Sequence, residues 1–118
     1  MDPLLEIDNQ IFNELKKDLG DDFLLGVLDV YHDDARKQLK LLESALGQGD
    51  STAFMEAAHL LKSTSLIFGA LAFGNLARDL ELLGLAGNIA DSREKLTQLQ
   101  RACDALHHVL KDLCHVSS

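Results

Sequence analysis

His59 lies in a segment whose spacing places a cation and a hydroxyl beside an imidazole. On a helix, Lys62 and Ser63 follow His59 at i+3 and i+4 and share its face. A neutral imidazole carries a nucleophilic nitrogen that can accept a phosphoryl group, and Nε2 is the expected nucleophile because it reaches furthest from the helix. Lys62 can offset the charge that the ring then acquires, and Ser63 can donate a hydrogen bond to a phosphoryl oxygen. The pattern therefore predicts a phosphoryl acceptor.

The outward face of this helix also carries apolar residues. On a wheel of 100° per residue, the direction nearly opposite to His59 is occupied by a core stripe of Phe54, Ala57, Leu61, Thr64 and Phe68. Met55 and Leu66 lie on the same side as His59, where a solvated helix would carry polar side chains, so they indicate a docking patch for the donor's surface. The residues expected to contact a partner are Thr52, Met55, Glu56, Leu66 and Gly69.

The composition predicts that helices position these residues. The chain has 118 residues, with one proline, one tyrosine and no tryptophan, and glycines fall near the ends of its periodic segments. Apolar periodicity and capping residues predict five helices, at about 8–19, 21–46, 50–68, 71–83 and 90–113. Asp21 or Asp22 is the expected N-cap of the second helix. Short connections make neighbouring helices antiparallel, so residues 1–118 are expected to form a single all-α domain, an up-and-down four-helix bundle with an additional short N-terminal helix.

These residues resemble the signature of histidine-containing phosphotransfer (HPt) domains. The resemblance lies in the run Ala58-His59-Leu60-Leu61-Lys62-Ser63-Thr64-Ser65, in Gly69-Ala70, and in Leu76 and Leu80-Glu81, and upstream in Leu19-Gly20-Asp21-Asp22 and residues 28–46. By motif position, His59 is the phosphorylated residue, Lys62 is the lysine beside it, and Gly69 is the glycine after the helix. The sequence departs from the family at Ser63, where glycine is usual, which leaves partner choice and transfer rate open.

The resemblance implies a carrier rather than an enzyme. Such a domain accepts a phosphoryl group from the aspartate of a response-regulator receiver domain and passes it to another receiver, with no ATP site or autokinase activity of its own. The implied partners are receiver domains and a hybrid sensor histidine kinase. The chain is expected to bind no cofactor or metal, because the receiver supplies Mg²⁺.

Charge and hydropathy limit the kinds of partner and the cellular location that we expect for this protein. Eleven Lys and Arg residues against 19 Asp and Glu give a net charge of -8, so nucleic acid is a poor partner. Residues 1–58 carry 13 acids and 5 bases, whereas residues 59–118 carry six of each, so the half containing His59 is neutral. No apolar run approaches the roughly 20 residues of a membrane helix, and the acidic start Met1-Asp2-Pro3 is unlike a signal peptide. A cytoplasmic monomer that does not bind membranes is expected.

Several alternatives stay open at this point. A helical adaptor that binds or sequesters a signalling partner without phosphotransfer would share the same fold. Cys103, His107 and Cys114 share a sector of the last helix and could be metal ligands, but Leu96, Leu99 and Leu110 lie in that sector too, so the cysteines are interpreted as core residues. The chain could also be one domain of a hybrid kinase, although its initial Met and the absence of linkers favour a free-standing protein.

Overall fold

The computed structural model describes residues 2–115, and every regular element in that range is helical. A 3₁₀ turn at Pro3–Leu5 precedes α1 (Asn9–Leu19), α2 (Asp21–Gln48), α3 (Ser51–Ile67) and α4 (Leu71–Leu85), and a second 3₁₀ turn at Ile89–Ser92 leads into α5 (Arg93–His115). The five predicted helices are confirmed at nearly the expected boundaries. Within the described range, no helix has both the length and the apolar character needed to cross a membrane.

Side-chain caps and glycines fix the helix ends. The carboxylates of Asp8 and Asp50 each accept a hydrogen bond of 3.0 Å from a backbone NH in the first turn of α1 and α3. Gly20, with φ of +80°, ends α1 and is also the N-cap of α2. The predicted capping role of Asp21 or Asp22 was therefore wrong. Both lie in the first turn, where their charge is favourable near the helix N-terminus.

Helix α3 is enclosed by two neighbours. It packs most extensively against α4 and also against α2, while α2 packs against α5, and α1 contacts α2. Tyr31 of α2 and Ser65 of α3 form a buried hydrogen bond of 2.7 Å. Since the Ser65 hydroxyl donates its hydrogen to the carbonyl of Leu61, the Tyr31 hydroxyl is the donor to Ser65. The fully buried core is built mainly from Phe12, Leu24, Leu28, Leu42, Phe54, Leu61, Phe73, Leu80, Leu96, Leu99, Leu106 and Leu110.

Two glycines of α4 allow it to approach α3 closely. A Cβ placed on Gly84 would lie 2.8 Å from the Cβ of Met55 and 2.9 Å from its Cα. A Cβ placed on Gly74 would lie 2.7 Å from Cδ2 of Leu66. Real Cβ atoms do not sit at such distances, so the two helices are packed at a separation that larger residues would prevent.

We expect Gly84→Ala to destabilise the protein, although alanine is the better helix former. Its methyl group would meet the backbone of Met55, and forcing the helices apart should lower the free energy of unfolding by about 1–3 kcal/mol. Gly26→Ala is the matched control, because Gly26 is an exposed glycine within α2 with no atom within 4 Å of the added Cβ. The control should stabilise by up to about 1 kcal/mol. Chemical denaturation measures both, and equal effects would contradict the close packing.

Candidate functional site

A histidine, a lysine and a glutamate meet where α3 packs against α4. His59 lies on the outward side of α3, and its side chain is 52% exposed. Its Nδ1 lies 2.6 Å from Oε2 of Glu81, which belongs to α4. Nζ of Lys62, one turn after His59, lies 2.8 Å from Oε1 of the same carboxylate. Each carboxylate oxygen of Glu81 is therefore hydrogen-bonded to one residue of α3.

The contact with Glu81 selects one form of the His59 ring. An ionised carboxylate only accepts hydrogen bonds, so Nδ1 must carry the hydrogen. In the neutral imidazole, Nε2 then holds the lone pair. The carboxylate also fixes the orientation of the ring, as carboxylates commonly do for reactive histidines. In the neutral ring, the exposed distal nitrogen is therefore the one that carries the lone pair.

Glu81 is ionised although it is largely buried. Burial by itself raises the pKa of this carboxyl, but the hydrogen bonds from Lys62 and His59 outweigh burial and lower the pKa below its ordinary value of 4.5. The side chains of Glu81 and Lys62 are only 12% and 21% exposed, so solvent screens their ion pair less than it would a surface pair. The partners of Glu81 thus compensate for its partial removal from water.

The role of Glu81 is the main feature that reasoning from the residues missed. In the sequence, Glu81 stands out only as part of the resemblance, and its residue type and spacing from His59 give it no evident chemistry. A local signal was present, because Gly74, Ala77 and Gly84 share a face of α4 with Glu81 and are small residues. A carboxylate in a row of small residues on an otherwise apolar helix face indicates that a neighbouring helix passes close to it.

Three other predicted site residues lie on the accessible part of α3. Ser63 is half-buried, one turn after His59, and Thr52 and Glu56 are exposed in the turns before it. All three share the outward side of the helix with His59. The predictions that Ser63 contacts a phosphoryl group and that Thr52 and Glu56 contact a partner stay predictions.

Met55 and Leu66 do not form the outward docking patch that was expected. Both are half-buried, and they pack against α4 at Gly84 and Gly74. The helical wheel placed them on the outward side because it assumes a single core direction, whereas α4 covers a second side of α3. The exposed apolar side chains of α3 are instead Leu60 and Ile67, at 49% and 56% exposure.

Gly69 was predicted to contact a partner, but it is buried. Its φ of +81° is a left-handed conformation that favours glycine, and a Cβ there would lie 2.8 Å from the carbonyl oxygen of Asp8. The backbone NH of Asp8 donates a 2.8 Å hydrogen bond to the Gly69 carbonyl. Gly69 therefore attaches the start of α1 to the turn between α3 and α4 and does not present a surface to a partner.

An apolar cleft runs between α2 and α3. It has a volume of about 370 Å³ and is lined by Val27, Val30, Tyr31, Asp34, Thr64, Ile67 and Phe68. Val30 at its edge is 69% exposed. Leu60, which follows His59 directly, is exposed as well, so apolar surface extends along the side of α3 that faces α2. A contiguous exposed apolar surface of this kind commonly marks an interaction site.

The pKa of Glu81 predicts how stability depends on pH. Because the folded-state pKa lies below the unfolded value, the stabilisation is complete above about pH 4.5 and is lost as pH falls through the folded-state pKa. Wild type should exceed Glu81→Gln in unfolding free energy by about 1 kcal/mol near neutral pH, and by progressively less below about pH 4. Denaturation titrations at several pH values measure this difference. Asp79→Asn, on the exposed side of α4, controls for the loss of one negative charge, and a difference that does not change with pH would refute the assignment.

The chain is similar to known histidine-containing phosphotransfer proteins. No curated protein sequence matches the chain. A crystal structure of histidine-containing phosphotransfer protein B (HptB) from Pseudomonas aeruginosa PAO1 matches its fold with a TM-score of 0.84 and 22% identity, over 95% of this chain and 96% of that one. The family model of the Hpt domain matches residues 26–109, a range that includes His59, Lys62 and Glu81. The resemblance predicted from the sequence is confirmed, and the chain belongs to the Hpt domain family.

Proposed function

We propose that this protein is a histidine phosphocarrier of a two-component phosphorelay. His59 accepts a phosphoryl group from the aspartate of a receiver domain and passes it to the aspartate of another receiver. The observation that carries the proposal is the exposed imidazole whose Nδ1 is bonded to Glu81, which leaves Nε2 as the nucleophile. Membership of the Hpt domain family supports the same reaction class.

The transfer is a direct displacement at phosphorus. The lone pair of Nε2 forms the new N–P bond in line with the departing oxygen, the P–O bond to the donor aspartate breaks, and the aspartate leaves as a carboxylate. No proton has to leave Nε2 first, because the hydrogen of the neutral ring is on Nδ1. The ring becomes a phosphorylated imidazolium, whose positive charge and Nδ1 hydrogen face the Glu81 carboxylate. Glu81 is thus a positioning residue that also stabilises the product.

Lys62 has two roles in this scheme. Before transfer, its ammonium group is bonded to Glu81 and helps to keep that carboxylate ionised. Once the phosphoryl group is on His59, the same ammonium group lies one helical turn away and can turn toward the phosphoryl oxygens. The Ser63 hydroxyl can donate to those oxygens from the following turn. The receiver supplies Mg²⁺ and most of the charge stabilisation in the transition state, while this chain supplies a positioned nucleophile.

The receiver docks on the exposed apolar surface beside His59. Leu60, Ile67 and Val30 provide this surface on α3 and α2, and Thr52 and Glu56 are polar contacts at its rim. This location replaces the patch around Met55 and Leu66, which are half-buried against α4. The partners are receiver domains and a hybrid sensor histidine kinase, and the carrier acts as a cytoplasmic monomer with no autokinase activity of its own.

We also propose how the five helices are arranged. Helices α2 to α5 form an antiparallel up-and-down four-helix bundle, with α1 as the additional short helix on its surface. The contacts of α2 with α3 and α5, of α3 with α4, and of α4 with α5 support a closed ring of four helices.

Phosphotransfer from a receiver domain tests the function directly. A receiver phosphorylated with a radiolabelled donor should transfer acid-labile label to wild type and none to His59→Gln. His108→Gln is the matched control, because His108 is an exposed histidine of α5, and it should accept label as wild type does. If wild type accepts no label from any receiver of its cell, or if His59→Gln is labelled equally, the carrier assignment is wrong. A receiver that binds tightly without transfer would indicate the adaptor function instead.

Lys62→Ala should slow phosphotransfer about 10-fold, because it removes a cation from both Glu81 and the phosphoryl group. The unfolding free energy should fall by about 1–3 kcal/mol, because the largely buried Glu81 carboxylate would lose a charged hydrogen-bond partner. Lys17→Ala, an exposed lysine of α1, removes the same charge away from the site and should leave the transfer rate unchanged. Rapid-quench kinetics and thermal unfolding measure the two quantities. Normal transfer by Lys62→Ala, or an equal loss in Lys17→Ala, would exclude this role.

A further inference from the structure

A second group of reactive side chains lies where α2 packs against α5, away from the contact between His59 and Glu81. His32 of α2 places Nε2 2.7 Å from Oδ1 of Asp104 of α5. A ring nitrogen of His32, Sγ of Cys103 and a carboxylate oxygen of Asp104 all lie within 4.8 Å of one another. These three side chains offer nitrogen, sulfur and oxygen donors from two helices to a single point.

This group differs from the ligand set considered from the sequence. Cys114 does not join Cys103, since its thiol contacts the carbonyl of Asp21 at 3.5 Å. His107 does not join this group either: its Nε2 lies 2.8 Å from Asp29, and its ring nitrogens are not among the donor atoms that meet near Cys103. The fold instead brings in His32 from the neighbouring helix, a residue that is far from Cys103 in the sequence.

We propose that His32, Cys103 and Asp104 form a binding site for a divalent transition-metal ion of the zinc class. Tetrahedral zinc with bonds of about 2.0–2.3 Å to N, O and S separates its ligand atoms by about 3.3–3.8 Å. The spacing of the three donor atoms is close to that range, so side-chain adjustments of about 1 Å are sufficient. A water molecule would fill the fourth position. The proposal departs from the expectation that the chain binds no metal.

The ligands combine a rigid part with a mobile part. The His32 side chain is 14% exposed, and its ring stacks on that of His107 with centroids 4.1 Å apart and planes 4° from parallel. Cys103 is 6% exposed within the core of the bundle. The Asp104 side chain is 76% exposed and is free to turn toward an ion. Two donors are thus held by packing, as a preorganised site requires, and the third can close over the ion.

Access and charge also suit an ion. A surface cleft of about 360 Å³ reaches Cys103 and Asp104 and is lined as well by Arg36, Lys40 and Glu43. When the ion binds, the S–H proton of Cys103 leaves to solvent as the sulfur–metal bond forms. The hydrogen that Nε2 of His32 donates to Asp104 is exchanged through solvent onto Nδ1, which frees the lone pair of Nε2 for the ion. The thiolate, the Asp104 carboxylate and the neutral imidazole then carry a charge of about −2, which balances a divalent ion. Arg36, whose charge acts on both Cys103 and Asp104, is the cation that the ion must compete with.

Co²⁺ is the probe, because a bond between thiolate and Co²⁺ produces an ultraviolet charge-transfer band that imidazole and carboxylate ligands do not produce. The reduced full-length protein titrated with Co²⁺ should show this band at one equivalent, and Zn²⁺ should abolish it by competition. Zn²⁺ should also raise the melting temperature, with a shift that grows with its concentration. Arg36→Gln should lower the dissociation constant, because it removes a positive charge beside the site.

Three variants test the assignment. Cys103→Ser should lose the band, and the matched control Cys114→Ser, at the other buried cysteine of α5, should keep it. If Cys103→Ser fails to fold by circular dichroism, Asp104→Asn replaces it as the test, because that exposed side chain can change without loss of the core, and it should weaken binding at least 10-fold. Absence of the band in folded wild type, or a band that depends on Cys114 instead of Cys103, would overturn the proposal.

Discussion

The separation between α3 and α4 is the constraint on which the candidate site depends. Gly74 and Gly84 have no side chains, so α4 lies against Leu66 and Met55 at a distance that a single methyl group would prevent. Glu81 lies between these two glycines on the same helix, and its short side chain reaches both His59 and Lys62 only because the helices are close. A wider separation would leave the carboxylate beyond hydrogen-bond distance of both. Packing between helices, rather than the local sequence of α3, therefore decides which nitrogen of His59 is free to react.

The three charged or polar partners depend on one another. A carboxylate with 12% of its side chain exposed is costly without compensation, and Lys62 and His59 supply that compensation. The ammonium and the imidazole NH would in turn lose their acceptor if Glu81 were absent. The same hydrogen bonds that link α3 to α4 thus also fix the orientation of the imidazole. The two side chains differ in exposure: the Glu81 carboxylate is shielded from solvent, whereas the His59 imidazole is accessible to a large partner.

Features that depend on neighbouring residues in the chain were predictable, and features that depend on packing between helices were not. Helical periodicity placed α3 correctly and put His59 and Lys62 on one face. The same periodicity misplaced Met55 and Leu66, because it cannot show that α4 covers a second side of α3. The hydrogen bond between Glu81 and His59 and the burial of Gly69 against Asp8 arise from contacts between residues far apart in the chain. Local patterns do not contain that information.

Pairing with a carboxylate is not what distinguishes His59, because His32 and His107 are each bonded to an aspartate as well. The difference lies in which nitrogen is used and in how much of the ring is exposed. His32 and His107 bond through Nε2, so the nitrogen left over is Nδ1, next to the backbone, on side chains that are 14% and 16% exposed and stacked on each other. His59 bonds through Nδ1 and presents Nε2 on a side chain that is 52% exposed. In-line attack on a phosphoryl group held by a second protein needs an unhindered distal nitrogen. Among these three histidines, His59 alone meets that requirement, so a carboxylate partner by itself does not identify a phosphoryl acceptor.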